Sequence, residues 1–320
     1  MSSTSNLQPC WAVLLAGGDG TRLQNLTLRI AGDARPKQFC RLWGGKSLLT
    51  QTQERIELLF PRDRMMFVVT RVHEEFYLED LRNAASVIAQ PQNRGTGVAI
   101  AAALLRILQQ ETETDPMVAL FPCDHYYSDD DAFARTIESA MACAQQHPES
   151  IIVLGAEAQY PEVEYGWIEP GSAIPGNAIQ DAGISLSRVN RFWEKPSLPK
   201  ARALLNRGCL WNTFVTIGRA RVFLELLRSQ VPDVMTQMAA ARMANDELDA
   251  IYREIRAVDF SREVLAPLPH RLLVVRDAAS GWTDLGNPRR VIDTLVRNRI
   301  EPPWLSEMPL ARRAEYLVNG

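Results

Sequence analysis

A chain of 320 residues, 46% of them hydrophobic, is long enough for one large α/β domain or a domain with a small appendage. Its net charge of −3 excludes an electrostatic grip on DNA, RNA or an anionic membrane. No run approaches the roughly 18 apolar residues of a membrane-spanning helix, and five cysteines without metal-ligand spacing predict reduced thiols in a cytoplasmic protein.

Met1 to Pro9 is polar and lacks the apolar core of a signal peptide, so residues 1–10 are expected to be a disordered tail. The apolar run 12–16 predicts a buried strand. It ends in Gly17, Gly18 and Gly20, followed by Thr21, Arg22 and Leu23. Glycines let main-chain N–H groups approach a ligand closely, a turn of such groups binds anions, and Arg22 adds a planar fork for phosphate oxygens. Neither familiar phosphate loop fits. The dinucleotide fingerprint needs a glycine where Leu23 stands, and a Walker loop ending in Gly45-Lys46-Ser47 needs one at Cys40.

Further along, residues 47–60, 97–110 and 132–146 read as helices, alternating with strands at 65–70, 117–121 and 151–155. Asp129, Asp130 and Asp131 read as the cap and first turn of a helix. Beyond 160, strands at 165–169 and 187–193 flank a Gly/Pro-rich turn, Pro170 to Gly176. A strand at 272–275 and helices at 222–229 and 288–298 complete the pattern. Alternation of this kind predicts a sheet with helices on both faces. Of the 35 basic residues only four are lysines, at 37, 46, 195 and 200. A compact ammonium differs chemically from a guanidinium fork, so positions that keep lysine in an arginine-using chain attract interest.

The glycine loop is followed by Pro36-Lys37-Gln38-Phe39, by Leu120-Phe121-Pro122-Cys123-Asp124-His125, by Glu194-Lys195-Pro196 and by Trp282-Thr283-Asp284-Leu285-Gly286. In order and spacing, over about residues 11–300, this set resembles the sugar-1-phosphate nucleotidyltransferases, and among them the mannose-1-phosphate guanylyltransferases. The segment from Val258 to Leu265 resembles the same branch. The resemblance implies a Rossmann-like nucleotidyltransferase fold, α/β, with a mixed, mostly parallel sheet. It implies a nucleotide-binding part at about 11–150, a sugar-binding part at about 151–300 and a C-terminal tail at 301–320.

It further implies a reaction of GTP with mannose 1-phosphate that needs Mg²⁺, with no nucleic acid or membrane partner and with a homo-oligomer left open. The nucleotide would be held by Ala16, Gly17, Gly18, Gly20, Thr21, Gly95 and Thr96. Arg22, Lys37 and Lys195 would serve the transfer, with Lys37 against the triphosphate. Gly166, Glu194, Lys195 and Asn212 would bind the sugar phosphate, and Asp124 and Asp284 the metal. His125 reads as a structural or supporting neighbour of Asp124, and His73, His147 and His270 as surface or loop residues. The chain departs from the family pattern in three places. Residues 24–35 are longer than usual, with Asn25 where proline is common. Thr213 and Phe214 replace the Ser-Gly that follows the sugar-contacting Asn, and residues 92–97 replace a more apolar base-recognition run. Uridylyl or thymidylyl transfer to glucose 1-phosphate or another sugar phosphate, and a non-catalytic nucleotide-sugar-binding protein, are the alternatives.

Overall fold

The structure is a computed structural model in which residues 10–175, 185–240, 245–277 and 279–309 are described. Among these, nine strands form one sheet: β1 (Cys10–Leu15), β2 (Met65–Thr70), β3 (Ser86–Gln90), β4 (Met117–Pro122), β5 (Ile151–Glu157), β6 (Gly166–Ala173), β7 (Leu186–Glu194), β8 (Leu210–Arg219) and β9 (Leu272–Asp277). Their order is β3-β2-β1-β4-β8-β5-β9-β7-β6. Strands β1 to β4 are mutually parallel and β9 runs parallel to β5. β8 lies antiparallel between β4 and β5, and β7 pairs antiparallel with β9. The sheet is therefore mixed, with parallel pairing concentrated in its N-terminal half.

The helices are α1 (Gln24–Ala31), α2 (Leu48–Glu57), α3 (Glu74–Tyr77), α4 (Gly95–Gln110), α5 (Asp130–Gln146), α6 (Leu198–Asn206), α7 (Ala220–Gln230), α8 (Pro232–Ala240), α9 (Asn245–Glu254), α10 (Pro288–Arg297) and α11 (Pro303–Ser306). Successive strand side chains point to opposite faces, and β1 divides accordingly. Trp11 and Val13 join the core under α4, α7 and α8, while Ala12 and Leu14 join the core under α2 and α5. α4 is apolar on nearly every side and is buried on nearly every side, as an all-round hydrophobic helix must be. Asp129 caps α5 by accepting from Ala132 N–H at 2.8 Å, the role expected of it.

Several elements differ from the sequence expectation. The ten-residue central strand β8 and the short β3 were not anticipated, nor were α1, α3, α6, α8, α9 and α11. β8 interrupts its apolar residues with Asn212, Thr213 and Thr216, so it lacks the continuous apolar run that marks a buried strand. The long stretch 24–35 accommodates α1. The Gly/Pro-rich turn ends in residues outside the described ones, since β6 extends through Ala173. Residues 1–9 and 310–320 of the expected tails also lie outside them. Cys10, however, opens β1, and residues 301–308 are packed: Leu305 is buried and Trp304 Nε1 donates to Leu42 O at 2.7 Å. They complete a third core with Leu26, Leu42, Leu285, Val291 and Leu295.

All five cysteines are free thiols. Burial pushes Cys143 up to about 11, so its thiol stays protonated. Among the described residues no helix is long and apolar enough to cross a membrane. At the far end of the sheet β6 turns back to pair with β8, setting Trp167 opposite Trp211 and Ile168 opposite Leu210. That closure gathers Gly166, Glu194 and Asn212 in one place.

Candidate active site

The glycine loop begins where β1 ends, at the carboxyl edge of the parallel strands, the position at which open α/β sheets bind ligands. Ala16 N–H still donates to Val68 O at 2.8 Å. Beyond it the loop's carbonyls are anchored by side chains. Gln38 Nε2 donates to Ala16 O at 3.0 Å and to Gly18 O at 2.6 Å, and Thr70 Oγ1 donates to Gly17 O at 2.9 Å. A planar trans peptide points its N–H opposite its C=O. Fixing three carbonyls therefore turns the N–H groups of Gly17, Gly18 and Asp19 away from these anchors. Gly17 and Gly18 line a cavity of about 540 Å³. Gly20 has φ +63°, and a Cβ there would lie 2.9 Å from Pro36 Cα and Lys37 N, so only glycine permits this turn to pack on the Pro-Lys segment. Thr21 opens the short turn that follows, and Arg22 projects to solvent with NH1 3.3 Å from Glu164 Oε1.

The opposite wall of the cavity is the start of α4, where Gly95, Thr96 and Ala99 face Val258, Asp259 and Arg262. Gly97 N–H donates to Val258 O at 2.9 Å and Thr96 Oγ1 accepts from Phe260 N–H at 3.0 Å. Gln90 closes this wall at the end of β3, 2% exposed. Its Oε1 accepts from the buried Tyr252 hydroxyl at 3.1 Å, which commits Nε2 as a donor on the side of Gly17 and the cavity.

Asp124 follows β4 and lies in the same cavity. Asp284, 160 positions later in the chain, is brought beside it by a local pairing: Tyr126 and Thr283 exchange backbone hydrogen bonds of 2.9 and 3.0 Å. Lys37 joins the two segments. Its ammonium donates to Asp284 O at 2.6 Å and Leu285 O at 3.3 Å and pairs with Asp124 Oδ2 at 3.1 Å. Burial opposes the charge on Asp124 and Asp284 repels it, yet the Lys37 ammonium outweighs both and holds its carboxyl below the ordinary range. Asp284 is likewise held low against burial, by Arg290 and Lys37. Burial lowers His125, keeping it neutral. Because Trp282 Nε1 donates to its Nδ1 at 3.0 Å, the ring proton sits on Nε2, facing Asp124 Oδ1. His125 therefore supports the carboxylate.

Two carboxylates suit Mg²⁺, which keeps several waters and completes its shell with substrate phosphates. Among the described residues no group of three or more metal-ligating side chains gathers. The Lys37 ammonium acts as a stand-in cation against Asp124.

At the closed end of the sheet, Gly166 stands opposite Glu194 in register, and a Cβ there would lie 2.9 Å from Glu194 Oε2 and 3.3 Å from Asn212 Cβ. Burial raises Glu194, aided by the charge of Asp259 and opposed by Lys195 and Arg262. Lys195 has φ +43° and Nζ 3.8 Å from Glu194 Oε1. Asn212 Oδ1 accepts from Phe214 N–H at 3.0 Å, in a turn that holds Phe214 at φ +68°, a left-handed conformation that residues with a Cβ rarely adopt. Phe214 lines the same cavity as the glycine loop, so β8 joins the two regions.

Thus Gly17, Gly18, Gly95, Thr96 and Asp124 share one cavity, Asp284 joins through Lys37, and Gly166, Glu194, Lys195 and Asn212 share a second region. Lys37 is buried and turned into Asp124 and the 284 turn, and Arg22 rests on Glu164. His73, expected to be a surface or loop residue, ends a short 3-10 turn and is buried, with Nε2 3.9 Å from Asp19 Oδ1. Sequence reading did not single out Gln38, Thr70, Gln90, Glu162, Glu164 or Arg290. Gln38 had a signal, following Lys37 directly.

A family model described as Nucleotidyl transferase matches residues 11–298. Mannose-1-phosphate guanylyltransferase 2 of Escherichia coli O157:H7 is 27% identical over 307 residues, which are 91% of this chain and 61% of the relative. Mannose-1-phosphate guanylyltransferase of Escherichia coli strain K12 is 30% identical over 291 residues, 87% of this chain and 58% of the relative. The chain thus spans less than two thirds of the length of either relative. Among solved structures, a Thermus thermophilus protein described as a mannose-1-phosphate geranyltransferase superposes with a TM-score of 0.76 at 26% identity, over 92% of this chain and 80% of that one.

Proposed function

The chain belongs to the nucleotidyl transferase family, and on that premise we propose that it transfers the guanylyl group of GTP to mannose 1-phosphate, forming GDP-mannose and pyrophosphate with Mg²⁺ as cofactor. The observation that carries this reading is the convergence of Asp124 and Asp284 on Lys37, beside a loop whose N–H groups are turned outward by Gln38 and Thr70. The printed names of the Escherichia coli relatives support the choice of nucleotide and sugar. Gln90 supports a keto base: its committed donor suits guanine O6, whereas adenine offers an amino group there.

In this reading the amides of Gly17, Gly18 and Asp19 hold the β- and γ-phosphates, and Arg22 leaves Glu164 to close on them. Lys195 holds the sugar phosphate, while Glu194 and Asn212 accept from and donate to the sugar hydroxyls. Asp124 and Asp284 would hold Mg²⁺, which would supply positive charge to offset the repulsion of the two anionic substrates. An oxygen of the sugar phosphate forms a bond to the α-phosphorus as the α–β bridging bond breaks, and pyrophosphate carries away the electron pair. Positioning and charge neutralisation suffice for this step, so no side-chain nucleophile is needed.

Pyrophosphate release measured with GTP, ATP, UTP, CTP and dTTP, each against mannose 1-phosphate and glucose 1-phosphate, tests the proposal. GTP with mannose 1-phosphate is expected to give the highest kcat/KM. A higher value for UTP or dTTP with glucose 1-phosphate would move the chain to another branch, and no turnover with any pair would leave a binding protein.

A further inference from the structure

Arg290 is a cation where helix physics disfavours one. Asn287 caps α10 by accepting from Arg290 N–H at 2.9 Å, and Pro288 opens the first turn, so Arg290 sits at the positive end of the helix dipole. Its side chain is nevertheless 8% exposed, with the guanidinium 4.4 Å from the Tyr165 ring centre. Three carboxylates offset this placement. NH1 binds Asp284 Oδ1, and NH2 lies 2.8 Å from Glu162 Oε2 and 3.0 Å from Glu164 Oε2.

The turn that carries Asp284 is shaped around this pair. Leu285 has φ +53°, a conformation that costs a side chain with a Cβ. A Cβ at Gly286 would lie 2.6 Å from Asp284 Oδ2 and 2.7 Å from Arg290 NH1. Gly286 N–H donates to Asp284 Oδ1 at 2.8 Å, so both donors take the same oxygen, and among the described residues no donor is bonded to Oδ2.

We propose that Arg290 is a positioning residue for Asp284: it fixes Oδ1, so that Oδ2 alone is presented to the divalent cation shared with Asp124. The inference rests on reading Asp124 and Asp284 as the metal pair. A planar fork can hold three carboxylates in fixed directions, whereas an ammonium supplies the same charge as a point. Arg290→Lys therefore separates charge compensation from orientation.

The test is Mn²⁺ titrated into the full chain, with free Mn²⁺ followed by its electron paramagnetic resonance signal, alongside the Mg²⁺ concentration for half-maximal rate and the melting temperature. Arg290→Lys is expected to melt close to the wild type, to bind Mn²⁺ at least about tenfold more weakly and to need correspondingly more Mg²⁺, a change of about 1.4 kcal/mol. Gly286→Ala, which presses a methyl group on the pair without removing charge, is expected to weaken Mn²⁺ binding in the same direction and serves if the lysine variant does not fold. Unchanged or tighter Mn²⁺ binding in the folded variant overturns the role of Arg290. Wild-type protein that binds Mn²⁺ no better than Asp124→Ala overturns the metal pair itself.

Discussion

At position 37 a single ammonium makes three contacts, with two backbone carbonyls and the Asp124 carboxylate, inside a space that leaves the side chain 9% exposed. A guanidinium is broader and has a fixed fork, so Lys37→Arg is expected to lose at least about tenfold in kcat/KM, about 1.4 kcal/mol of transition-state stabilisation. Lys195→Arg is expected to lose a similar factor in sugar-phosphate use, because its backbone is held at φ +43° beside Glu194. Lys200, whose ammonium stacks 3.7 Å from the Trp193 ring centre outside the site, is the control: Lys200→Arg keeps that contact and should be silent. Equal, small effects at all three positions would strip the scarce lysines of mechanistic meaning. Glu194 carries a pH signature. Burial and the Asp259 charge raise its carboxyl above the ordinary 4.5, so the ionised form costs stability at neutral pH, and that cost disappears as pH falls through the raised value. Glu194→Gln should therefore melt higher than the wild type at pH 7.5, with the gap closing on acidification, while the KM for the sugar phosphate rises. A gap that widens on acidification would contradict the assigned environment. The residues legible in the sequence were those whose chemistry is unusual for their setting: glycines before an arginine, lysines in an arginine-using chain, an aspartate after a strand. Gln38, Gln90 and Arg290 were not legible, because their importance lies in which backbone or carboxylate they reach across the fold.

Elements with a single burial pattern could be read from the chain, and elements serving two surfaces could not. β2, fully buried, was placed to the residue, and α4 and α5 within two residues. β8 was missed because one stretch must pair with three antiparallel neighbours, fill a core and carry Asn212 and Phe214 into the site. α10 was found, but not that Arg290 in its first turn bonds Asp284 Oδ1. The last described element makes its own prediction. Leu305 is 2% exposed in the third core, against Leu285 and α10. Leu305→Ala should cost about 2–4 kcal/mol in stability, as truncation of a buried leucine does, measurable as a lower denaturant midpoint with an unchanged slope. A change under about 0.5 kcal/mol would mean that residues 301–308 do not pack as described.

For the molecule as a whole, the α/β class and the order of motifs were legible, and the meeting of distant segments was not. Asp124 and Asp284 are joined by the Tyr126–Thr283 pairing and by Lys37, contacts that no local pattern announces. The parallel half of the sheet carries the glycine loop, and the antiparallel closure of β6 on β8 gathers Gly166, Glu194 and Asn212. The proposed function of this arrangement is nucleotide transfer with a divalent cation held by the two aspartates. The most direct measurement is the rate of pyrophosphate release from GTP and mannose 1-phosphate, with Mg²⁺ and with excess chelator, for the wild type and for folded Asp124→Ala and Asp284→Ala. Turnover is expected only for the wild type, only with Mg²⁺, and with restoration when Mg²⁺ is returned. Full activity in chelator, or in either aspartate variant, would contradict the claim.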